Sequence, residues 1–257
     1  MTRRILVFGY GLVSYAVGFS VLLYLIAFIG NFWAPTTIDG PLVGSLASAA
    51  AINLGLILTF AVQHSVMARP AFKQRLARWI PPEAERSTYV LASGLVLIAL
   101  FVLWRPMGGI VWDIQQPLAR TALFALFACG WVTVFGSSFL INHFDLFGLR
   151  QVWLCLRGKP YTPLAFKTPG PYSLVRHPLY VGWLTAAWAT PTMGAAHLAF
   201  AVLMTVYILA AIRWEERDLV DALGQDYTEY QERVPMLAPR LLRRRKSGTI
   251  QVENAAA

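Results

Sequence analysis

Apolar residues in this chain come in long blocks, with polar residues gathered between them. Blocks at about Val7–Ile29, Leu42–Met67, Tyr89–Trp104 and Leu118–Ile141 precede a close pair, Leu179–Thr190 and Ala195–Ile212. A helix needs about 20 apolar residues to cross a ~30 Å hydrocarbon core. The pattern therefore predicts an all-α integral membrane protein of five to six transmembrane helices, with a C-terminal helical hairpin and helices on the cytoplasmic face. The hairpin should turn at the breaker cluster Thr190-Pro191-Thr192-Met193-Gly194. Its first arm amounts to about 18 Å of helix and its second to nearly 30 Å. The hairpin is thus either partly re-entrant, or its first arm starts before His177.

The first block follows Met1-Thr2-Arg3-Arg4, is too long for a signal-peptide core and lacks a small-x-small cleavage site, so it reads as a retained helix. Leu149–Leu156 reads as a short amphipathic helix at the interface. One membrane domain is expected over 1–246, with four helices and their loops in 1–141 and a ligand-binding region in 142–246. The polar tail 247–257 should be disordered.

Composition agrees: 57% of the 257 residues are hydrophobic and 14% charged, where a soluble domain carries about 25% charged residues. The net charge of +9 would suit nucleic acid, but its distribution points elsewhere. With the N-terminus inside, Arg69, Lys73, Arg75, Arg78, Arg86, Arg150, Arg157, Lys159, Lys167, Arg176, Arg213, Arg217, Arg233 and the run Arg243–Lys246 all fall on the inner side. Only Arg105 and Arg120 fall outside. This is the positive-inside bias: both termini cytoplasmic, contact with membrane lipid headgroups, no nucleic acid. Cys129 and Cys155 lie at different depths, so no disulfide is expected, and no metal-ligand set is present.

Candidate chemistry clusters where the hairpin meets water. Arg176-His177-Pro178-Leu179-Tyr180-Val181-Gly182 opens it; Glu215-Glu216, then Gly224-x-x-Tyr227-x-x-Tyr230-x-x-x-Val234-Pro235, close it. Titratable groups at a membrane edge usually have a task, against the plainer readings of interfacial anchoring, capping charge and packing. Pro178 suits the first position of a helix, putting His177 and Tyr180 beside free N–H groups. Adjacent glutamates point about 100° apart, so one can bind a ligand while the other pairs with Arg176, Arg213 or Arg217. Two further polar stretches end apolar blocks on the same side. They are Gln63-His64-Ser65-x-x-Ala68-Arg69-Pro70-x-Phe72-Lys73 and Asn142-His143-Phe144-Asp145-Leu146-Phe147-Gly148-Leu149-Arg150-Gln151. His197 falls at the outer end and is assigned no role.

The C-terminal motif, over about 168–240, resembles the isoprenylcysteine carboxyl methyltransferase and phospholipid methyltransferase group. The resemblance implies S-adenosylmethionine as methyl donor, held by His177, Tyr180, Glu215 and Glu216, with Arg176 beside them. Tyr227 and Tyr230 would stack on adenine or lie over the sulfonium, and Gly170-Pro171-Tyr172 fits the family's turn before the motif. With the two histidine stretches, the likeness over about 5–240 narrows to bacterial methanethiol S-methyltransferases, relatives of NnrU-type membrane proteins. That implies methylation of a small thiol, methanethiol to dimethyl sulfide, in the bacterial inner membrane. A thiol needs help to lose its proton near neutrality. His64 or a His143–Asp145 pair can act as base, or Arg69 or Arg150 can stabilise the thiolate. Two other readings stand: an isoprenylcysteine- or lipid-type methyltransferase on the same scaffold, and a non-enzymatic accessory protein with His64 and His143 as haem ligands.

Overall fold

The computed structural model describes residues 1–239; the end of the expected domain and the tail expected to be disordered lie outside that range. Five helices are long and apolar enough to cross a membrane: α1 (Thr2–Gly30), α2 (Leu46–Ala68), α4 (Glu85–Leu103, entered through a turn at Pro82–Ala84), α5 (Pro117–Ile141) and α9 (Ala195–Leu223). Between them lie α3 (Pro70–Leu76), α6 (His143–Leu146), α7 (Leu149–Leu156) and α8 (Pro178–Trp188), and α10 (Gln225–Arg233) follows α9. The amphipathic segment forms over the expected residues, and its Val152 is fully buried against Val7 and Ala84.

The described residues also contain two short strands, which the block pattern did not foretell. β1 (Ile110–Asp113) follows α4, and β2 (Thr192–Gly194) pairs with it antiparallel, with an irregularity between Ile110 and Trp112. The breaker cluster therefore becomes a pairing strand. This ribbon also answers how the short arm covers its distance. α8 is about 16 Å long, and the extended stretch to Thr192 adds about 10 Å. Together, at about 26 Å, they come within a few Å of the about 30 Å of α9 from Ala195 to Glu215. The carbonyls of Thr190 and Pro191 accept from Trp112 Nε1 and the Ile114 amide, which meets the demand for paired backbone in this non-helical stretch.

The main core gathers Leu25, Phe28, Leu100, Phe101, Trp104, Phe127, Trp131, Ala186 and Phe200 from α1, α4, α5, α8 and α9. α5 and α8 approach backbone to backbone. A Cβ on Gly182 would stand 2.6 Å from the Gly130 carbonyl oxygen, and one on Gly130 would stand 2.8 Å from the Ala186 nitrogen. Small residues permit such contact between membrane helices. At the ribbon end Asp39 accepts from the backbone of Gly194 and His197 and from Asn31 Nδ2. His197, fully buried, donates from Nε2 to the Ala187 carbonyl and holds Nδ1 3.6 Å from Asp39 Oδ2.

Candidate active site

At the opposite end, α8 begins at Pro178 with His177 as its cap residue. The strand-like stretch after α10 closes over this start, since the Arg176 and His177 amides donate to the carbonyls of Pro235 and Met236. α9 delivers Glu215 and Glu216 to the same place, and their divergence gives them different surroundings. Glu216 Oε1 accepts from Arg176 Nε at 2.7 Å and His177 Nε2 at 2.9 Å, and its Oε2 accepts from Gln231 Nε2 at 3.0 Å. Arg176 also donates to the carbonyls of Gln231 and Val234. Glu216 is thus a saturated anchor joining α8, α9 and α10. Glu215 accepts a single side-chain hydrogen bond, 2.8 Å from the Tyr180 hydroxyl to Oε2; its other oxygen is open to a ligand.

Around Glu215 stand five tyrosines close enough to interact with it electrostatically: Tyr89 on α4, Tyr172 before α8, Tyr180 on α8, Tyr207 on α9 and Tyr227 on α10. α2 completes the ring. Ser65 Oγ lies 3.1 Å from the Tyr207 hydroxyl, and Arg69 pairs with Asp218 at 2.9 Å. His64 Nε2 is 2.7 Å from the Tyr89 hydroxyl, and its Nδ1 is 3.2 Å from Ser93 Oγ. Phe60 stacks on the His64 ring with centroids 5.0 Å apart. The Gln63 Oε1 atom is buried here without a partner. An open carboxylate oxygen, phenol faces and an orphaned amide oxygen suit a cationic ligand with N–H or O–H donors.

The second histidine goes elsewhere. His143 is buried among Tyr15, Phe19, Phe139 and Phe147. Its Nε2 faces the Tyr15 hydroxyl at 3.0 Å and its Nδ1 faces Ser138 Oγ at 2.9 Å. Asp145 is not its partner, which corrects the expected pair. Positions two apart on a helical turn face opposite ways, and Asp145 binds Arg150 at 2.9 Å and Tyr161 instead. Burial holds the His143 ring below the usual histidine value. Because His64 and His143 sit in separate clusters, each hydrogen-bonded at both nitrogens, they do not form an axial pair for haem.

Tyr227 and Tyr230 turn inward, 2% and 5% exposed, edge-on to each other and to Phe166. They are packed instead of offering free faces. The Tyr230 hydroxyl donates to the Tyr172 carbonyl, and the Tyr172 hydroxyl donates to the Ser137 carbonyl. Burial pushes the Tyr230 phenol up to about 12, and Tyr172 and Tyr227 higher still. Gly170, at φ 53°, makes the turn that sets Tyr172 there. A cleft of about 670 Å³ lies between the start of α4 and the α6–α7 segment, lined among others by Lys73, Glu85, Arg86, Asn142, Gln151 and Tyr161. It is within the usual size of small-molecule sites, but Glu215, Tyr180 and Tyr230 do not line it.

Sequence reading passed over Tyr89, Ser93, Tyr207, Gln231 and Asp218. A signal for two of them existed: Arg86, Tyr89 and Ser93 recur at helical spacing in an otherwise apolar block.

Fold and site define a class: a multi-pass helical membrane protein whose carboxylates, tyrosines and histidine meet at one end of the bundle. The chain is 49% identical over 237 residues to "Methanethiol S-methyltransferase" of Mycobacterium tuberculosis, covering 92% of this chain and 97% of that one. It is 50% identical to the protein of the same name from Crocosphaera subtropica, covering 92% of each. "Nurim" of Sus scrofa is 33% identical over 184 residues, 68% of this chain and 70% of that one. This chain therefore belongs to the methanethiol S-methyltransferase family. No protein-family profile and no solved structure matches it.

Proposed function

We propose that this protein transfers the methyl group of S-adenosylmethionine to methanethiol, releasing dimethyl sulfide. The observation that carries the reading is near-half identity, over more than nine tenths of both chains, to proteins named for that acceptor. The donor supplies an electrophilic methyl on a sulfonium. The open oxygen of Glu215, the Tyr180 hydroxyl and the Tyr89 and Tyr207 rings would bind and orient that cation. Arg176, His177 and Glu216 would hold α8, α9 and α10 in register beneath it. Gly170, Tyr172, Tyr227 and Tyr230 would form its supporting wall. Displacement at methyl depends chiefly on alignment, and His64, with Arg69 fixed by Asp218, would serve the thiol side. His143 and Asp145 would be structural.

The polypeptide would form one membrane domain over 1–246, its donor-binding part in 142–246. The Lys and Arg residues gather at the site end, while Arg105 and Arg120 lie toward the other, which supports cytoplasmic termini and a bacterial inner-membrane location.

Headspace gas chromatography on purified protein given S-adenosylmethionine and methanethiol tests the reading. Dimethyl sulfide should form with wild type and fall at least tenfold with Glu215→Gln. Donor binding without product would remove the acceptor assignment.

A further inference from the structure

We propose that Tyr89 is a catalytic residue that takes the thiol's proton while handing its own hydroxyl proton to His64; this rests on the methyl transfer just proposed. The geometry of His64 is the starting point. Ser93 Oγ faces Nδ1 at 3.2 Å and is itself engaged by Gln63 Nε2 at 3.3 Å. The Tyr89 hydroxyl lies 2.7 Å from Nε2 and 3.0 Å from Nδ1; in the tautomer whose Nδ1–H donates to Ser93 Oγ, Nε2 is the acceptor for Tyr89. Whichever ring nitrogen lacks the hydrogen, the Tyr89 hydroxyl is within 3.0 Å of it, so the phenol can pass a proton to the imidazole.

The surroundings of Tyr89 favour such a relay. The Arg86 guanidinium lies 5.0 Å from the Tyr89 ring centroid, anchored by its donation to the Leu146 carbonyl at 2.6 Å. A cation over the ring eases transient negative charge on the phenol oxygen. Tyr89 is also within electrostatic reach of Glu215 and Tyr207, the groups assigned to the sulfonium. Phe60 and Tyr207, with centroids 6.1 Å apart, give the region an apolar side suited to a small alkyl thiol.

The step balances. The thiol sulfur forms a bond to the methyl carbon, and the sulfonium–methyl bond breaks with its electron pair left on the departing sulfur. The S–H proton goes to Tyr89 Oη, and the Tyr89 proton goes to His64 Nε2, leaving an imidazolium that water deprotonates after release.

The test compares methanethiol with methaneselenol, a selenol already ionised near neutral pH that needs no base. Tyr89→Phe should lower kcat with methanethiol by about 10²–10⁴-fold, the usual range for a lost acid–base group. It should lower kcat with methaneselenol less than tenfold and leave the calorimetric Kd for the donor within about twofold. Equal losses with both acceptors would mark a structural role and overturn the proposal, as would an unchanged rate with methanethiol. Should Tyr89→Phe not fold, Ser93→Ala, which removes the Nδ1 acceptor that favours the relay tautomer, should show the same split between acceptors at about tenfold; no split there also overturns it. A wild type that binds donor yet makes no dimethyl sulfide would instead remove the reading beneath.

Discussion

Two neighbouring glutamates illustrate how differently adjacent residues can be employed. Glu216 satisfies three donors and its side chain is 15% exposed, beside an Arg176 that is 11% exposed. Removing one member of such a buried pair typically costs about 3–5 kcal/mol. Arg176→Ala should therefore lower thermal stability in detergent markedly. Glu215→Gln should leave the melting temperature almost unchanged while weakening calorimetric donor binding about tenfold, or about 1.4 kcal/mol. The Arg-His-Pro and Glu-Glu stretches stood out in the sequence because charge is rare beside apolar blocks. Which glutamate is saturated did not, since that depends on Gln231, fifteen residues further on and brought back by the break at Gly224. Tyr207 was hidden for a related reason: inside an apolar run, a tyrosine looks like packing until a serine on another helix meets its hydroxyl.

Among the elements, the long helices followed from block length, and α7 from its amphipathic spacing. The β ribbon did not, because four residues of β1 and three of β2 form a pair only once α4, α5 and α8 deliver both to one end. The glycine of the Arg-His-Pro-x-Tyr-x-Gly segment finds its reason in packing. With 2.6 Å between an added Cβ and the Gly130 oxygen, Gly182→Val should cost about 1–3 kcal/mol or more. Both stability and methyl transfer should drop, because α8 carries Tyr180. The short α6 carries a pH dependence. Its His143 has a folded pKa below the unfolded value of about 6.5. The unfolded chain therefore binds a proton first on acidification, and stability falls as pH drops below about 6.5. His143→Phe should flatten that part of a melting-temperature profile.

On the scale of the whole molecule, the two ends of the bundle are built differently. The end with the candidate site depends on charged and phenolic side chains; the ribbon end is tied by Asp39. Burial pushes the Asp39 carboxyl up, but bonds from His197 and Asn31 more than offset this and leave it below the usual carboxylate value. Asp39→Ala should remove those bonds and leave two backbone N–H groups short of an acceptor, costing about 1–3 kcal/mol. Scanning calorimetry should register that loss while the KM for donor stays put. A coupled change in KM would mean that the two ends communicate.

The brevity of α8 bears on how the protein is made. Eleven helical residues are too few to partition into lipid as an independent span, and the extended stretch after them needs β1 to satisfy its carbonyls. During synthesis α1, α2, α4 and α5 can each enter the bilayer unaided, whereas α8 must wait at the interface until α9 has inserted and α5 stands ready to receive its glycine face. Chains truncated before Ala195 would then hold α8 at the membrane surface, so the tyrosine it carries reaches the candidate site only as the last helices are assembled.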